Sequence, residues 1–410
     1  MKKRTTKSTA ADVPTGETME QIHRAGNKGR LTVGLDLGDR NSDYCILDED
    51  GEVLIRGTLA TTTVALDRVF GKMPASRIAM EVGTHSPWVS RRLKALGHEV
   101  IVANPRNVAW ITQSRKKDDR IDAEKLARLA RVDVKLLSPV QHRGEQGQRD
   151  LMVIRARAGL VEARTQLINA VRGLVKSVGE RLEGCDSEKV GTEMAGKLSE
   201  ATAQAVKPLL ESIEKISEQI AGYEKQLEKM KERYPETELL TAVYGVGTLV
   251  ALTFVLTIED AKRFSKSRDV GAYLGMVPSR RESGEREPEL RITKEGDRHL
   301  RWMLVQSAHC ILRKGGPDSD LRRWGLKQLD PVAPSPHMAG NNQGKQKTGK
   351  NRKKRVLVAV ARRLAVLLHH LWSNGEVYDP LYGAKQAALA QAKAKAKAEG
   401  KAVQAKGKAA

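Results

Sequence analysis

The segment that begins at Leu31 constrains the fold of this chain most strongly. In LTVGLDLGD, apolar residues from Leu31 to Leu37 alternate with Thr, Gly and Asp, which is the period of a strand. YCIL and EVLIRG flank the turn DEDG and predict a hairpin. RIAMEVG and HEVIVAN predict two more strands, separated by the helical SPWVSRRLKALG, and DDRIDAEKLARLARV predicts an amphipathic helix. Strands followed by alternating helices and strands predict an α/β domain over residues 31–143.

Residues 144–234 follow the period of a helix instead. One apolar stripe keeps alternating spacings of four and three residues, which is the heptad pattern of a coiled coil. We expect a coiled-coil hairpin or dimer arm here, with a long helix packed on its own protein as the alternative. The polar segment 183–200 contains three glycines and is the predicted turn. The stripe consists of Leu209, Ile213, Ile216, Ile220, Tyr223, Leu227 and Met230.

A second compact, mainly helical domain is predicted over residues 235–382, because Pro235 ends the arm and apolar helical segments follow. Its last helix is predicted in VLVAVARRLAVLLHHLW. Residues 1–30 lack apolar periodicity and residues 383–410 are rich in Lys and Ala, so both ends are predicted to be disordered.

The charge of the chain indicates a polyanionic partner. The formal net charge is +22 at pH 7, and nucleic acid is the first candidate for such a partner. The three cysteines, Cys45, Cys185 and Cys310, form no closely spaced pair and fit a reducing compartment. We expect no secretory signal, since the basic N-terminus lacks an apolar region. We also expect no membrane span, since no apolar run approaches about 20 residues. The expected location is the cytoplasm.

Four carboxylates form the candidate catalytic site. Asp36 ends the first predicted strand between two glycines, and Glu81 ends RIAMEVG. Asp119 and Asp122 are three residues apart on a predicted helix and therefore share a face. Hard oxygen ligands suit Mg²⁺ or Mn²⁺, and two such ions assist phosphodiester cleavage. Each acid alone is more typical of a solvated surface, and the argument depends on the combination.

Here the sequence resembles a known family. GLDLGDRNSDYCILDEDGE, AMEVGTHSPWVSRRL, VANPRNVAW and KKDDRIDAEKLARL are similar to the N-terminal Asp-Glu-Asp-Asp domain of insertion sequence 110 family transposases. The resemblance implies a ribonuclease H-like domain similar to RuvC-type resolvases. It assigns the metal-binding acids to Asp36, Glu81, Asp119 and Asp122. Asp118 stands where relatives often have Thr, and the spacing to Asp122 favours Asp119 over Asp118 as the ligand.

The resemblance continues in the second predicted domain. RFSKSRDVGAYLGMVPSRRESGEREPELRITKEGDRHLRWMLVQSA is similar to the C-terminal transposase domain of the same family. The resemblance implies that Ser283 is a nucleophile that joins DNA covalently. No histidine lies in its loop, so the acids and metals would have to assist. The alternative is that Ser283 is a turn residue before Gly284, with Ser265, Ser279 and Thr293 as competing hydroxyls. Basic residues that would neutralise the phosphate are Arg280, Arg281, Arg286, Arg291 and Lys294.

Two further patterns carry less information. Gly245-Val246-Gly247 can aim helix N–H groups at a phosphate, but such turns more often let helices pack closely. His369 and His370 are adjacent on a predicted helix, so they diverge, and a metal pair there is not expected.

The predicted function is DNA strand cleavage and exchange by a transposase or recombinase. Metals bound by the four acids would assist a serine-linked step on donor and target DNA. The resemblance also implies an element-encoded guide RNA, and the arm suggests a homodimer or homotetramer. Two alternatives remain: a RuvC-like junction nuclease without serine chemistry, and a non-catalytic DNA-binding protein.

Overall fold

The computed structural model describes residues 14–104, 119–279, 290–329 and 349–391, with only the backbone at residues 119, 120 and 349–351. The chain divides into two units, Met1–Glu145 and Gln146–Ala410. The first unit is mixed α/β and the second is mainly helical, as predicted. The predicted arm, residues 144–234, belongs almost entirely to the second unit.

A five-stranded sheet organises the first unit, with strand order β3-β2-β1-β4-β5. β1, β2 and β3 are antiparallel neighbours, whereas β4 and β5 run parallel to β1. The predicted hairpin is confirmed: Gly51 adopts φ +88° in its turn, which is the left-handed region that glycine tolerates. The strands are β1 (Thr32–Asp36), β2 (Asn41–Leu47), β3 (Val53–Ala60), β4 (Arg77–Glu81) and β5 (Glu99–Ala103).

Helices cover both faces of this sheet. α2 (Thr63–Phe70) and α3 (Ser86–Ala95) pack on one face, where Leu35, Ile78 and other alternate strand residues are fully buried. α4 (Asp119–Val132) packs on the opposite face against small side chains such as Ala79. Successive strand residues point to opposite faces of the sheet. The residues that alternate in the sequence therefore pack against two different helix layers, α2 with α3 on one face and α4 on the other.

The prediction that residues 1–30 are disordered is wrong for most of the described part of this segment. Gly16–Lys28 forms helix α1, and the Thr15 hydroxyl accepts a hydrogen bond from the Thr18 N–H at its start. Ile22 is fully buried, and Met19 and Ala25 pack against the same core. The apolar residues are few, but their spacing of three places them on one face of the helix. Residues 1–13 lie outside the described residues.

Two long helices form an antiparallel hairpin in the second unit. α5 (Glu145–Ser177) and α6 (Glu200–Lys231) share apolar clusters, one joining Ile154 to Leu227 and the other joining Val171 to Leu210. Between these clusters, Arg157 pairs with Glu224, and Arg164 donates to the Ser217 hydroxyl over 3.2 Å. In the predicted stripe, Ile213, Ile220, Leu227 and Met230 are buried, whereas Leu209, Ile216 and Tyr223 are half-buried.

The rest of the second unit is a helical bundle. The helix α12 (Gly349–Asn374) lies at its centre, and eight of its side chains are buried in the bundle core at helical spacing. The helix α8 (Thr248–Ile258) is buried from Ala251 onwards. The helices are α7 (Thr237–Thr241), α8 (Thr248–Ile258), α9 (Asp269–Tyr273), α10 (Arg298–Leu312), α11 (Asp320–Leu329) and α12 (Gly349–Asn374). The buried residues of α12 are Val356, Leu357, Val360, Ala361, Leu364, Ala365, Leu368 and Leu371.

One stretch of α12, Arg352–Asn374, is long and apolar enough to cross a membrane, and half of its most apolar window is buried within the protein. Since its buried side chains form the bundle core, we interpret it as a core helix.

The prediction of disorder from residue 383 is also wrong at its start, because residues 382–391 are helical. The Asp320 carboxylate accepts a hydrogen bond from the Gly383 N–H over 2.6 Å and so satisfies an N–H group of the first turn. The alanine-rich sequence favours the helix intrinsically. Residues 392–410 lie outside the described residues.

Candidate functional site

Two of the predicted acids end neighbouring parallel strands of the first unit. Leu35 pairs with Met80 in the β1–β4 register, so Asp36 and Glu81, one residue further along, lie at the same edge of the sheet. Leu35 and Met80 point into the core beneath α2 and α3. Asp36 and Glu81 therefore point to the opposite face, which α4 covers. Both are half-buried.

α4 brings a third acid to this face. Its packing on β1 is very close: a Cβ at Gly34 would lie 1.8 Å from the carbonyl oxygen of Ala123. Asp122, next to Ala123, is about one-third exposed and accepts a hydrogen bond from Lys125 over 3.1 Å. Burial raises the pKa of Glu81, and the negative charge of Asp122 raises it further. Glu81 and Asp122 are thus electrostatically coupled on one face of the sheet.

Of the two candidates for the remaining acid, Asp119 is described by its backbone alone, at the start of α4, and Asp118 lies outside the described residues. Among the side chains that the structure describes, no group of three His, Cys, Asp or Glu residues is close enough to hold a metal ion. The described acids fit a hard divalent cation in donor chemistry, and such a cation would relieve the repulsion between Glu81 and Asp122.

Glu124 has a structural role on the same helix. Its carboxylate accepts from Arg56 of β3 over 2.5 Å and from Arg128 over 2.8 Å. The hydrogen bond from Arg56 is the main reason why the pKa of Glu124 lies below its ordinary value. Glu124 therefore fastens α4 to the sheet, in contrast to Asp122 two residues earlier.

A serine–histidine contact that the sequence did not reveal holds the loop after Glu81. The fully buried Ser86 hydroxyl accepts a hydrogen bond from the Gly83 N–H over 2.9 Å and lies 2.9 Å from the Gly83 carbonyl oxygen. It also lies 2.8 Å from Nε2 of His142. Burial lowers the pKa of His142, and nearby Arg and Lys charges lower it further, so the ring is neutral near pH 7. Ser86 and His142 are 56 positions apart, and no local motif connects them.

A second contact lies in the same loop. His85 Nε2 is 3.3 Å from the exposed Asp39 carboxylate, which follows β1. The indole N–H of Trp88 donates to Nδ1 of the same ring over 3.1 Å. Contacts of His85 therefore connect the loops that follow β1 and β4, where Asp36 and Glu81 end their strands.

The predicted serine of the second unit lies outside the described residues, as do Arg280, Arg281 and Arg286. The chain on either side of residues 280–289 is described. Pro278 pairs with Ile292 in an antiparallel bridge, and the Ser279 N–H donates to the Arg291 carbonyl over 2.9 Å. The two flanks of the Ser283 segment are thus held side by side. Of the competing hydroxyls, Thr293 accepts from the Glu295 N–H over 3.5 Å, and Ser265 is exposed.

The two weaker patterns have packing roles. Gly245 adopts φ +87°, and a Cβ there would lie 3.0 Å from the Ser307 carbonyl oxygen of α10. His369 is buried, with Nδ1 2.9 Å from the Ser267 hydroxyl and Nε2 2.9 Å from the Ala261 carbonyl oxygen. His370 is exposed and contacts Asn374 and Glu376, so the two rings diverge as predicted.

Comparisons with known proteins agree on one group. A family model of IS110 elements, described as "Transposase", matches residues 33–179. A second model, "Transposase IS116/IS110/IS902 family", matches residues 237–322. A probable family 20 transposase of Pseudomonas aeruginosa is 28% identical over 73% of this chain and 90% of its own length. The transposase for insertion sequence element IS1111A of Coxiella burnetii is 27% identical over 75% of this chain and 84% of its own.

Proposed function

The chain belongs to the IS110 family of insertion-sequence transposases, and from this premise we propose that it cuts and exchanges DNA strands with a carboxylate site and a serine nucleophile. The observation that carries the proposal is the common face of Asp36, Glu81 and Asp122. Two of these acids, Glu81 and Asp122, repel each other. A divalent cation bound between them would replace this repulsion by attraction to both carboxylates.

A ribonuclease H-like, RuvC-like identity of the first unit is part of this proposal. It is supported by three antiparallel strands that continue into two parallel ones, with helices on both faces. Asp36, Glu81, Asp119 and Asp122 would hold Mg²⁺ or Mn²⁺. The bound ion would supply Lewis-acid stabilisation of a phosphoryl oxygen. The acids themselves would supply the hard oxygen ligands that suit Mg²⁺ or Mn²⁺.

Ser283 is the proposed nucleophile of the same reaction. Its hydroxyl oxygen forms a bond to phosphorus while one phosphate ester bond of the DNA breaks. The proton of the hydroxyl goes to a base, and the departing oxygen gains a proton. Attack by a hydroxyl of another strand end reverses these steps and releases the serine. Arg291 and Lys294, on the described flank of the segment, are suited to neutralise the phosphate.

The proposal includes a guide RNA encoded by the element, a homodimer or homotetramer, and action in the cytoplasm. A basic chain accepts RNA and DNA backbones alike, so the guide would supply the choice of sequence by base pairing. Sequencing of RNA that copurifies with the protein tests the guide: a single enriched RNA from the element is expected, and a random cellular pool would contradict it. Light scattering tests the oligomer.

A recombination assay on donor and target plasmids tests the chemistry. Asp122→Asn and Ser283→Ala are each expected to lower recombination by about 10³-fold or more, as for the removal of a metal ligand or a nucleophile. Glu20→Gln, at an exposed acid of α1, and Ser265→Ala are the controls, and both should retain most activity. If Ser283→Ala rejoins strands at the wild-type rate, the chain acts as a junction nuclease without serine chemistry. If Asp36→Asn also recombines normally, the acids are not catalytic.

A further inference from the structure

A large groove in the second unit is not used by the carboxylate site. Its volume is about 2050 Å³, and it runs along the face of α12 that is turned away from the bundle core. Its other walls come from α11, from the strand pair around Ile292 and from residues 378–383. Pockets for small molecules usually have about 300–1,000 Å³, so this groove is suited to a segment of a polymer.

The groove is strongly basic. Among the described residues, two carboxylates line it, and both are engaged by their own chain: Asp320 accepts from the Gly383 N–H, and Asp379 pairs with Lys385 over 2.8 Å. The positive charges therefore exceed the acids by a wide margin, and the groove suits a polyanion. The basic residues that line it are Arg291, Lys294, Lys354, Arg355, Arg362 and Arg363.

The groove face of α12 alternates between charge and apolar surface. The pair Lys354 and Arg355 is followed by Val358 and Ala359, then by Arg362 and Arg363, and then by Val366 and Leu367. At 1.5 Å rise per residue, the two basic pairs lie about 12 Å apart along the helix. A duplex would present mainly phosphates and would leave the apolar bands uncovered. A single strand presents bases as well, and bases cover apolar surface.

Arg363 on this face is held in place by an aromatic side chain. Its guanidinium carbon lies 3.8 Å from the ring centroid of Trp324 in α11, which is a close cation–π contact. Among the residues that the structure describes, no carboxylate pairs with this guanidinium. Stacking holds the group in one orientation and leaves its N–H edge available for a phosphate.

We propose that this groove binds a single-stranded stretch of nucleic acid, with phosphates on the basic pairs of α12 and bases on the apolar bands. This inference rests on the proposed function, because it takes from it that nucleic acid is the partner. Residues 330–348 and 392–410 are unsuited to this groove by charge, because each contains more Lys than Asp and Glu. A basic segment would be repelled by a basic groove.

The test is fluorescence anisotropy on the full chain in EDTA, so that the metal site and the serine reaction play no part. The probes are oligothymidine, oligouridine and a mixed-sequence duplex, each of roughly 20 nucleotides or base pairs, which exceeds one typical single-strand site. The groove variant is Lys354→Ala with Arg363→Ala. The matched control is Lys327→Ala with Lys353→Ala, which removes two exposed lysines of the same helices outside the groove. Thermal melting checks that both variants are folded.

We expect the groove variant to bind oligothymidine or oligouridine about tenfold more weakly than the control variant does. Its slope of log affinity against log salt should be smaller by about 1.4, which corresponds to two lost phosphate contacts on a single strand. Arg363→Lys should keep most of the slope but lose affinity, because lysine lacks the planar stacked group. The relative affinities of the two single strands identify the sugar.

Equal affinities and slopes for the groove and control variants would overturn the proposal, as would a groove variant that loses affinity for the duplex as strongly as for the single strands. Photocrosslinking with bromodeoxyuridine in the oligothymidine adds a direct readout. Crosslinks within Asp320–Leu329 or residues 378–383 support the groove, and crosslinks confined to other peptides contradict it. A chain that passes these tests but does not recombine DNA would refute the proposed chemistry and leave the groove assignment intact.

Discussion

Gly34 of β1 and Ala123 of α4 are in contact through their backbones, since a Cβ on Gly34 would lie 1.8 Å from the Ala123 carbonyl oxygen. No side chain fits between them. The absence of a side chain at Gly34 thus sets the distance between α4 and the sheet, and with it the position of Asp122 relative to Asp36 and Glu81.

Gly34→Ala should therefore displace α4. We expect a loss of about 3 kcal/mol in the free energy of unfolding, at the upper end of the usual range for overpacking, because the clash is with backbone. Recombination should fall by more than the loss of folded protein alone would cause. Gly83→Ala is the control, since a Cβ there would meet nothing within 4 Å. Denaturant unfolding and the recombination assay measure the two effects. A stable, fully active Gly34→Ala variant would contradict this account.

Ser86 and His142 are expected to position the loop after Glu81. Ser86→Ala removes a fully buried hydroxyl with several polar partners and should cost about 1–3 kcal/mol of stability. Recombination by the remaining folded protein should also fall, because the loop loses its fastening. Ser90→Ala removes another buried hydroxyl of α3, whose sole hydrogen-bond partner within the described part of the chain is the Pro87 carbonyl. The Ser90→Ala control should lose stability but keep its recombination activity per folded molecule. Equal activity per folded molecule in both variants would leave Ser86 without a positioning role.

The first unit should lose stability in mild acid through His98. Its Nδ1 accepts from the Ser76 N–H, and its Nε2 lies 3.0 Å from the Phe70 carbonyl oxygen, so the ring is neutral with its proton on Nε2. Burial lowers the pKa of His98. The unfolded chain therefore binds a proton more readily than the folded one as pH falls below about 6.5.

The stabilising contribution of neutral His98 is complete above that pH and is lost below it, by up to about 1.4 kcal/mol per pH unit. Urea unfolding between pH 7.5 and 5 measures it, with these pH values bracketing roughly the ordinary histidine pKa. The pKa of buried His142 is also lowered, so His98→Gln should reduce the pH dependence without abolishing it. If His98→Gln shows the same dependence of stability on pH as the wild type, His98 does not cause the loss of stability in acid.

Asp150 is expected to be a structural acid at the base of the helical hairpin. It accepts hydrogen bonds from Arg233, Tyr234 and Gln146 at 2.6, 2.7 and 3.0 Å. Burial acts to raise the pKa of Asp150, but these hydrogen bonds outweigh it and the pKa lies below its ordinary value. Asp150→Asn should cost about 2–3 kcal/mol, because a charged acceptor is lost and its donors remain. Tyr234→Phe, which removes one of the bonds, should cost about 1 kcal/mol.

The sequence predicted the parts of the fold that have a clear period. The alternation from Leu31, the hairpin at Gly51 and the helix that carries Asp122 are all present. α1 escaped prediction because its buried face rests on few apolar residues around Ile22. The short α2 also went unpredicted, since its eight residues give too little period to recognise.

The candidate site was predictable only where spacing or strand ends mark it. Asp36 and Glu81 end strands, and strand ends are visible in a sequence. The contact of Ser86 with His142 depends on the tertiary fold, and so does the ion pair that sets Glu124 apart from Asp122. The stacking of Arg363 on Trp324 joins two helices far apart in the chain and has no local signature.

The polar contacts inside the helical hairpin bear on its alignment. Arg157 faces Glu224 and Arg164 faces Ser217, so the two pairs share one antiparallel register. Sliding the helices by one heptad in one direction would set Arg157 against Lys231. Sliding them in the other direction would set Arg164, which is 7% exposed, against Leu210. Either slip buries an unpaired or repelled guanidinium. The two arginines thus select one register of the two helices, whose apolar contacts alone repeat along their length and would permit several.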